Sequence, residues 1–399
     1  MIYKSFKTEL NPNNKQKTLF KRYAGTARFV YNWALDLLQK DHKSEKKIKP
    51  SAITLHKLLV IKKNNEFNWM KEISKWCPQN SLRNLETAYK KFFKKQNSFP
   101  KFKKKGQRDS FTLDAPITIK NNKIKLPKIG WIKLKEHDYI PDGKPKSATI
   151  SLIANRWFVS VRYEIEIEQK QYENTIIGVD LGIKSLAVCS DGEIFESPRK
   201  LKNKEDQLKL LQRKLSRQQK GSNSRNITKK RLAKVHFNIS NHRKDILHKA
   251  TSCLAKTKSN KTIVIEDLNV KGMLKNHNLA KAISNIGFHE FRRQLEYKCA
   301  WYGKELIVAD RFYPSSKLCS CCGNKKDELE LKDRTYICDN CGLKIDRDLN
   351  ASINLEQYTV RYTEINAGGD DKVHVEKSTG DRLRNQNQTE SLLVDFCKF

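Results

Sequence analysis

Three acids and four cysteines stand in this sequence where they could hold metal. Asp180 closes the apolar run Ile176-Ile177-Gly178-Val179, and Glu266 closes Thr262-Ile263-Val264-Ile265. Such runs read as dry, central strands, whose last residue emerges at the carboxyl edge of an α/β sheet. Two acids at neighbouring strand ends repel each other unless a divalent cation lies between them. A third acid, Asp348, sits in Asp346-Arg347-Asp348-Leu349-Asn350-Ala351, at the expected start of a helix. Three such carboxylates make an oxygen cage for two Mg2+ ions, with Mn2+ a possible substitute in vitro. Two metals about 4 Å apart can activate a water and stabilise the leaving oxygen in phosphodiester hydrolysis. Two other acids compete for these roles. Asp346 could take the third position, or cap the helix while Asp348 faces the metal. Asp267 adjoins Glu266, but strand alternation points it to the opposite face.

Cys319 and Cys322 precede Cys338 and Cys341 in a C-x2-C-x15-C-x2-C pattern, with Gly323 and Gly342 directly after each pair. Four thiolates on two tight knuckles suit one tetrahedral Zn2+. Cys321 could replace a neighbour, although Cys-x-Cys fits a knuckle less well. Cys77, Cys189, Cys253, Cys299 and Cys397 are scattered and read as structural.

The surrounding elements must position these groups. Residues 2–10 alternate and read as a strand. From 15 to 95 the period is helical: Leu19, Tyr23, Ala27, Val30 and Ala34 share one face, and Leu82, Leu85, Ala88, Tyr89 and Phe92 repeat the pattern. Short β-branched runs at 117–119, 124–126, 131–134, 148–153 and 157–165, split by turn residues, read as a small barrel or sandwich. The strand at 2–10 could complete it, with the helical bundle as an insertion. From 175 the pattern is α/β, with strands at 186–189 and 193–195, basic helices at 200–219 and 224–256, a helix at 285–302 and a strand at 306–308. After 356 the sequence is polar and unpatterned, as a disordered tail would be.

The charge narrows the partners. Of 399 residues, 80 are Lys or Arg and 44 Asp or Glu, a net charge of +36. Residues 1–110 hold 27 basic and 8 acidic residues, a net +19, whereas 356–399 hold 6 and 8. A charge that large repels itself in a compact fold unless a polyanion neutralises it, and nucleic acid does so with release of counterions. Aromatics interleaved with the cations suit stacked bases; a solubility surface or an anionic membrane would not need them. The start, MIYKSFKTEL, lacks the apolar core of a signal peptide, and no run approaches a membrane span. These features lead to the expectation of an intracellular, cytoplasmic protein, nucleoid-associated when bound to DNA.

At this point the residues match a family. Gly178-Val179-Asp180-Leu181-Gly182, Ile265-Glu266-Asp267-Leu268 and Asp346-Arg347-Asp348-Leu349-Asn350-Ala351 resemble the three RuvC motifs of the TnpB (OrfB) proteins of insertion sequences, which are similar to type V CRISPR nucleases. The four-cysteine element lies between the second and third motifs, as in that family. Tyr313-Pro314-Ser315-Ser316-Lys317, Arg334-Thr335-Tyr336 and Phe99-Pro100-Lys101-Phe102-Lys103-Lys104-Lys105 also look like family sequence. The resemblance runs in order over residues 1–356. It implies a wedge β-barrel at 1–12 and 106–170 interrupted by a helical recognition domain at 13–105. A ribonuclease-H-like RuvC domain follows at 175–315 and 343–358, carrying a zinc module for target nucleic acid at 316–342, then a tail at 359–399. The implied activity is RNA-guided cleavage of double-stranded DNA beside a short target-adjacent motif. The guide RNA comes from the transposon end, one protein binds each RNA, and no membrane is involved. Within that picture Lys101, Phe102, Lys103, Lys104 and Lys105 would grip nucleic acid, although the run also reads as a plain basic linker. Arg213, Arg217, Lys229, Lys230 and Arg231 would line a heteroduplex channel, although they also fit a solvated hairpin.

Rival readings remain. A RuvC-like domain can serve a DNA transposase through the same carboxylates, yet the HUH-plus-tyrosine pattern is missing: the one close His pair, His236 and His242, sits in a basic helix. A nuclease-inactive RNA-guided repressor would have lost an acid. A simple zinc-finger binder leaves the acids unexplained.

Overall fold

A computed structural model describes residues 2–41, 48–114, 116–166, 171–197, 202–330 and 332–359. All but the first residue of the expected tail at 359–399, including Cys397, lies outside them. The chain divides into two compact units, Met1–Glu166 and Ile167–Phe399. Among the described residues no helix is long and apolar enough to cross a membrane.

In the first unit, strand β1 (Ile2–Asn11) leads into helices α1 (Asn14–Asp41), α2 (Ala52–Asn65) and α3 (Trp76–Phe93). Six strands follow: β2 (Ser110–Asp114), β3 (Thr118–Lys120), β4 (Lys123–Leu126), β5 (Gly130–Leu134), β6 (Ser147–Ile153) and β7 (Arg156–Ile165). They form a seven-stranded sheet in the order β2-β6-β7-β1-β5-β4-β3. The expected barrel is therefore corrected: the sheet stays open, with β2 and β3 at its edges. β1 is the bend, pairing with β7 along Ile2–Glu9 and handing over to β5 at Leu10 and Asn11. Closure would need β2 to meet β3, but α1 and α3 pack against β2 instead. Phe20 and Tyr23 of α1 are fully buried against Phe111 and Trp157, with ring centroids 4.9–5.8 Å apart. Asn80 of α3 donates to the Thr112 carbonyl at 3.4 Å, covering the free edge of β2. A second helical core gathers Val30, Ala34, Leu82, Leu85 and Tyr89, the faces that helical spacing marks.

In the second unit, β8 (Glu173–Asp180), β9 (Ser185–Cys189) and β10 (Ile194–Glu196) precede helices α4 (Lys202–Arg217) and α5 (Asn223–Ser252). Then come β11 (Asn260–Glu266), α6 (Val270–Met273), α7 (His277–Ile286), α8 (Phe288–Tyr302), β12 (Glu305–Ala309), β13 (Thr335–Ile337), β14 (Lys344–Asp346) and α9 (Arg347–Glu356). The sheet order is β10-β9-β8-β11-β12. β8, β9 and β10 are antiparallel, while β8, β11 and β12 run parallel. Ile263 and Ile265 of β11 and Ile177 and Val179 of β8 enter one buried cluster with Leu247, Phe291 and Leu295 from the helices. This dry sheet fixes where its strand ends emerge.

Candidate functional site

Asp180 is the last residue of β8 and Glu266 the last of β11. The strands are parallel neighbours with Val179 opposite Ile265, so both acids leave the sheet side by side at its carboxyl edge. The Leu181 N–H donates to Glu266 Oε1 at 3.3 Å and holds that carboxylate in place. Asp348 arrives in the first turn of α9. Its rival Asp346 is the N-cap, accepting from the N–H groups of Asp348 at 2.9 Å and Leu349 at 3.1 Å. This is the division of labour in which one acid caps and the other stays available. Asp267 faces away, paired with Arg292 at 2.9 Å and with Arg311.

The three acids feel one another. Burial, then Glu266 and Asp348, push the Asp180 carboxyl well above the usual range, and the nearby Arg347 only partly offsets them. Burial raises Glu266 to about 7, opposed by the Leu181 N–H and reinforced by Asp348. Hard oxygen donors that repel in a part-buried site are the donor set a divalent cation satisfies. Among the described residues, the only group of three or more His, Cys, Asp or Glu with ligand atoms all within 4.8 Å of one another is the cysteine cluster.

Gly178 lets α9 reach this edge. A Cβ there would lie 1.9 Å from the Ser352 carbonyl oxygen and 2.4 Å from the Glu356 nitrogen, inside the backbone of α9. Gly178→Ala must displace the helix that carries Asp348. Overpacking of this kind costs about 1–3 kcal/mol, and a 1 Å misplacement of a reacting group costs about 10²-fold in rate. The variant should melt earlier by calorimetry, and any reaction that Asp348 serves should slow by about that factor. An unchanged melting temperature would show that the helix is not seated as described.

The four cysteines converge at the ends of two knuckles. Cys319 and Cys341 sulfurs lie 3.6 Å apart and those of Cys322 and Cys338 3.5 Å apart. Thiolates about 2.3 Å from a tetrahedral zinc lie roughly 3.8 Å apart, whereas a disulfide needs about 2.05 Å. Each knuckle closes alike: Gly323 N–H donates to the Cys319 carbonyl and Gly342 N–H to that of Cys338, at 2.9 and 3.1 Å. Both glycines have positive φ, +74° and +70°, which a side chain would strain. Cys321 is exposed and outside the cluster. Asn350 and Asn354 of α9, both fully buried, tie the first knuckle to the carboxylate helix. Asn350 donates to the Leu318 carbonyl at 2.7 Å and accepts from Ser320 N–H at 3.0 Å. Asn354 donates to the Ser315 and Leu318 carbonyls at 2.8 Å each.

The candidate nucleic-acid residues lie on α4, on α5 and, in the first unit, in the run at 101–105. Arg213 and Arg217 on α4, and Lys229, Lys230 and Arg231 on α5, are all exposed. In the first unit the exposed run Lys101–Lys105 is anchored to α1. Lys103 and Asn32 exchange two hydrogen bonds, at 2.8 and 2.9 Å, and Phe102 lines a groove with Phe29, Trp33 and Trp69. Gly178, Asn350 and Asn354 escaped sequence reasoning as positioning residues, although Gly178 and Asn350 lie inside the quoted motifs. Asn32 carried no local signal.

Residues 160–277 match the OrfB_IS605 model, described as "Probable transposase", and residues 288–355 match "Cas12f1-like, TNB domain". Residues 1–47 match a "Helix-turn-helix domain" model, although here Ile2–Asn11 is a strand and Asn14–Asp41 one continuous helix. A "Putative RNA-guided DNA endonuclease" of Streptomyces pristinaespiralis is 36% identical over 89% of this chain and 89% of its own. "Putative RNA-guided DNA endonuclease InsQ" of Escherichia coli K12 is 33% identical over 88% and 91%. A TnpB-like protein of Methanocaldococcus jannaschii is 28% identical over 49% of this chain and 73% of its own. The chain belongs to the TnpB (OrfB) family of insertion-sequence RNA-guided nucleases.

Proposed function

We propose that this chain is an RNA-guided DNA endonuclease that cuts double-stranded DNA beside a short target-adjacent motif. The observation that carries this reading is the pair of acids on adjacent parallel strand ends, Asp180 and Glu266, each pushed toward protonation by burial and by its acidic neighbours. The five-stranded sheet of the second unit, antiparallel through β10, β9 and β8 and parallel through β8, β11 and β12, supports a ribonuclease-H-like RuvC domain at 175–315 and 343–358. On this reading 316–342 is a zinc module for target nucleic acid, 13–105 a helical recognition domain, and 1–12 with 106–170 the wedge. The names of the Streptomyces and Escherichia relatives support guide RNA and DNA as partners.

Asp180, Glu266 and Asp348 would hold two Mg2+ ions, and Cys319, Cys322, Cys338 and Cys341 one Zn2+. When bound, divalent cations supply Lewis acidity toward the attacking and leaving oxygens of a phosphodiester. The chain's own part is positional. The Leu181 N–H orients Glu266, the Asp346 cap fixes the turn that presents Asp348, and Gly178 admits that helix to the sheet. The exposed cations of α4 and α5, and the run Lys101–Lys105, would bind phosphate backbone, while base pairing reads sequence.

The deciding experiment expresses the protein with its genomic downstream flank and sequences the nucleic acid that co-purifies. A discrete RNA ending in element-adjacent sequence, with Mg2+-dependent cutting of a plasmid that matches it, is expected. No RNA, with cutting or joining only at element ends, would favour the transposase that the OrfB_IS605 description names. RNA-dependent target binding without cutting would favour a repressor.

A further inference from the structure

Just past the last parallel strand of the second unit's sheet, one aromatic ring stands in water. Phe312 is 86% exposed, more than any other large apolar residue described. A single exposed apolar side chain is unexceptional by itself; its mounting and position are not. The backbone around it is fixed. Phe312 N–H donates to Asp310 Oδ1 at 2.7 Å, and Tyr313 N–H donates to the Asp310 carbonyl at 3.1 Å. Tyr313 meets the Tyr358 ring at 4.8 Å between centroids, and its hydroxyl donates to the Asn354 carbonyl at 3.1 Å. The Tyr358 hydroxyl accepts from Asp310 N–H at 3.1 Å. The loop is thus fastened to α9, the helix whose first turn carries Asp348.

The backbone at Phe312 is also held near the strand end that carries Glu266. β12 runs in register with β11, and Ala309 lies opposite Glu266. Strands are about 4.8 Å apart and three further residues reach at most about 10 Å. Phe312 therefore lies within roughly 15 Å of Glu266 along the backbone. Beside it Arg311 keeps a guanidinium whose side chain is 49% exposed while one face meets Asp267. A guanidinium has five donors, so this one can also take a phosphate.

We propose that Phe312 is a stacking platform for an unpaired base of the DNA strand entering the carboxylate site, with Arg311 meeting an adjoining phosphate. The proposal rests on the nuclease reading above. Stacking on a ring is indifferent to base identity, which suits a position that orders any strand. A rigid loop carries the ring, so little entropy is lost when a base settles on it.

Wild type, Phe312→Ala, Phe312→Leu and Phe312→Trp, each loaded with guide RNA, are compared in single-turnover cleavage. Target binding is measured in EDTA, and quenching of a 2-aminopurine-bearing single-stranded oligonucleotide gives a readout independent of cutting. Ala and Leu should slow cleavage by about 5- to 150-fold, the range that loss of one stacked base produces, and should lose the quenching. Trp should keep both, and target affinity and melting temperature should not move in any variant. Leu performing as well as Trp, or Ala cutting and quenching like wild type, overturns the platform. Wild type that loads RNA and does not cut would sink the nuclease reading instead, and the quenching comparison would still decide the role of Phe312.

Discussion

Asp180→Asn should lower guided cleavage by at least about 10³-fold, the scale of the several kcal/mol that metal-held transition-state charge is worth. RNA loading and target binding should be kept, because base pairing and exposed cations carry them and Asp180 does not. The same site makes a second, opposite forecast. Without divalent ions the Asp180 and Glu266 carboxylates oppose folding, so removing one should stabilise the metal-free protein. The sign follows from Glu266, whose folded pKa is raised from 4.5 to about 7. A raised acid contributes stability that is full below its unfolded pKa and is lost as pH rises through the folded one. In EDTA, wild type should therefore lose stability relative to Glu266→Gln between about pH 4.5 and pH 7, with the gap flat above. Each pKa unit is worth about 1.4 kcal/mol, and a domain of this size shifts about 2–4 °C per kcal/mol. A gap of about 7–13 °C at pH 7.5, narrowed by millimolar Mg2+, is expected from thermal melts. Full cutting by Asp180→Asn, or a Glu266→Gln protein that melts below wild type in EDTA, would remove these acids from the proposed site.

How much of this was legible before the fold was known depended on whether the cause was local. Asp180 and Glu266 were readable because an apolar β-branched run ending in an acid states both the strand and the edge. The contest between Asp346 and Asp348 was readable as a contest, since an N-cap and a first-turn acid sit two residues apart in any helix start. Barrel closure was not readable. It turns on β2 packing against α1, where Phe20 and Tyr23 meet Phe111, a choice that strand spacing does not encode. β2 escaped for a similar reason, since Ser110-Phe111-Thr112-Leu113-Asp114 is a short alternation behind a basic run and pairing with β6 is what makes it a strand. Gly178 looked like one glycine of a motif. Its meaning lies in the Ser352 carbonyl it must clear, which only the approach of α9 reveals. Asn350 and Asn354 are polar residues whose burial depends on backbone partners at and before the first knuckle, which helical spacing does not reveal.

Those two asparagines make the zinc module more than an appendage, and they set the last prediction. The module's own core is small: Cys319, Tyr336 and Cys338, with Leu329, Leu343 and Ile345 against them. An apolar cluster of that size cannot order the loop between the knuckles. A structural zinc can, at an apparent 10–16 kcal/mol in small modules. Cys338→Ser should therefore abolish stoichiometric zinc by elemental analysis and open the module to proteolysis. Cys321→Ser, which changes an exposed thiol outside the cluster, should keep one zinc per chain. The consequence should reach the carboxylates. With the first knuckle disordered, the Leu318, Ser315 and Ser320 groups no longer hold Asn350 and Asn354. The helix presenting Asp348 then loses its register on β8, and cleavage should fall by about 10²-fold or more although no carboxylate has changed. Asn354→Ala is the discriminating variant. It should keep zinc and the folded module yet lose most of the cutting, because it breaks the tie without touching the knuckles. If Asn354→Ala cuts normally while Cys338→Ser does not, the module acts on the target nucleic acid alone. If both lose cutting and only Cys338→Ser loses zinc, the module also holds the third carboxylate in place.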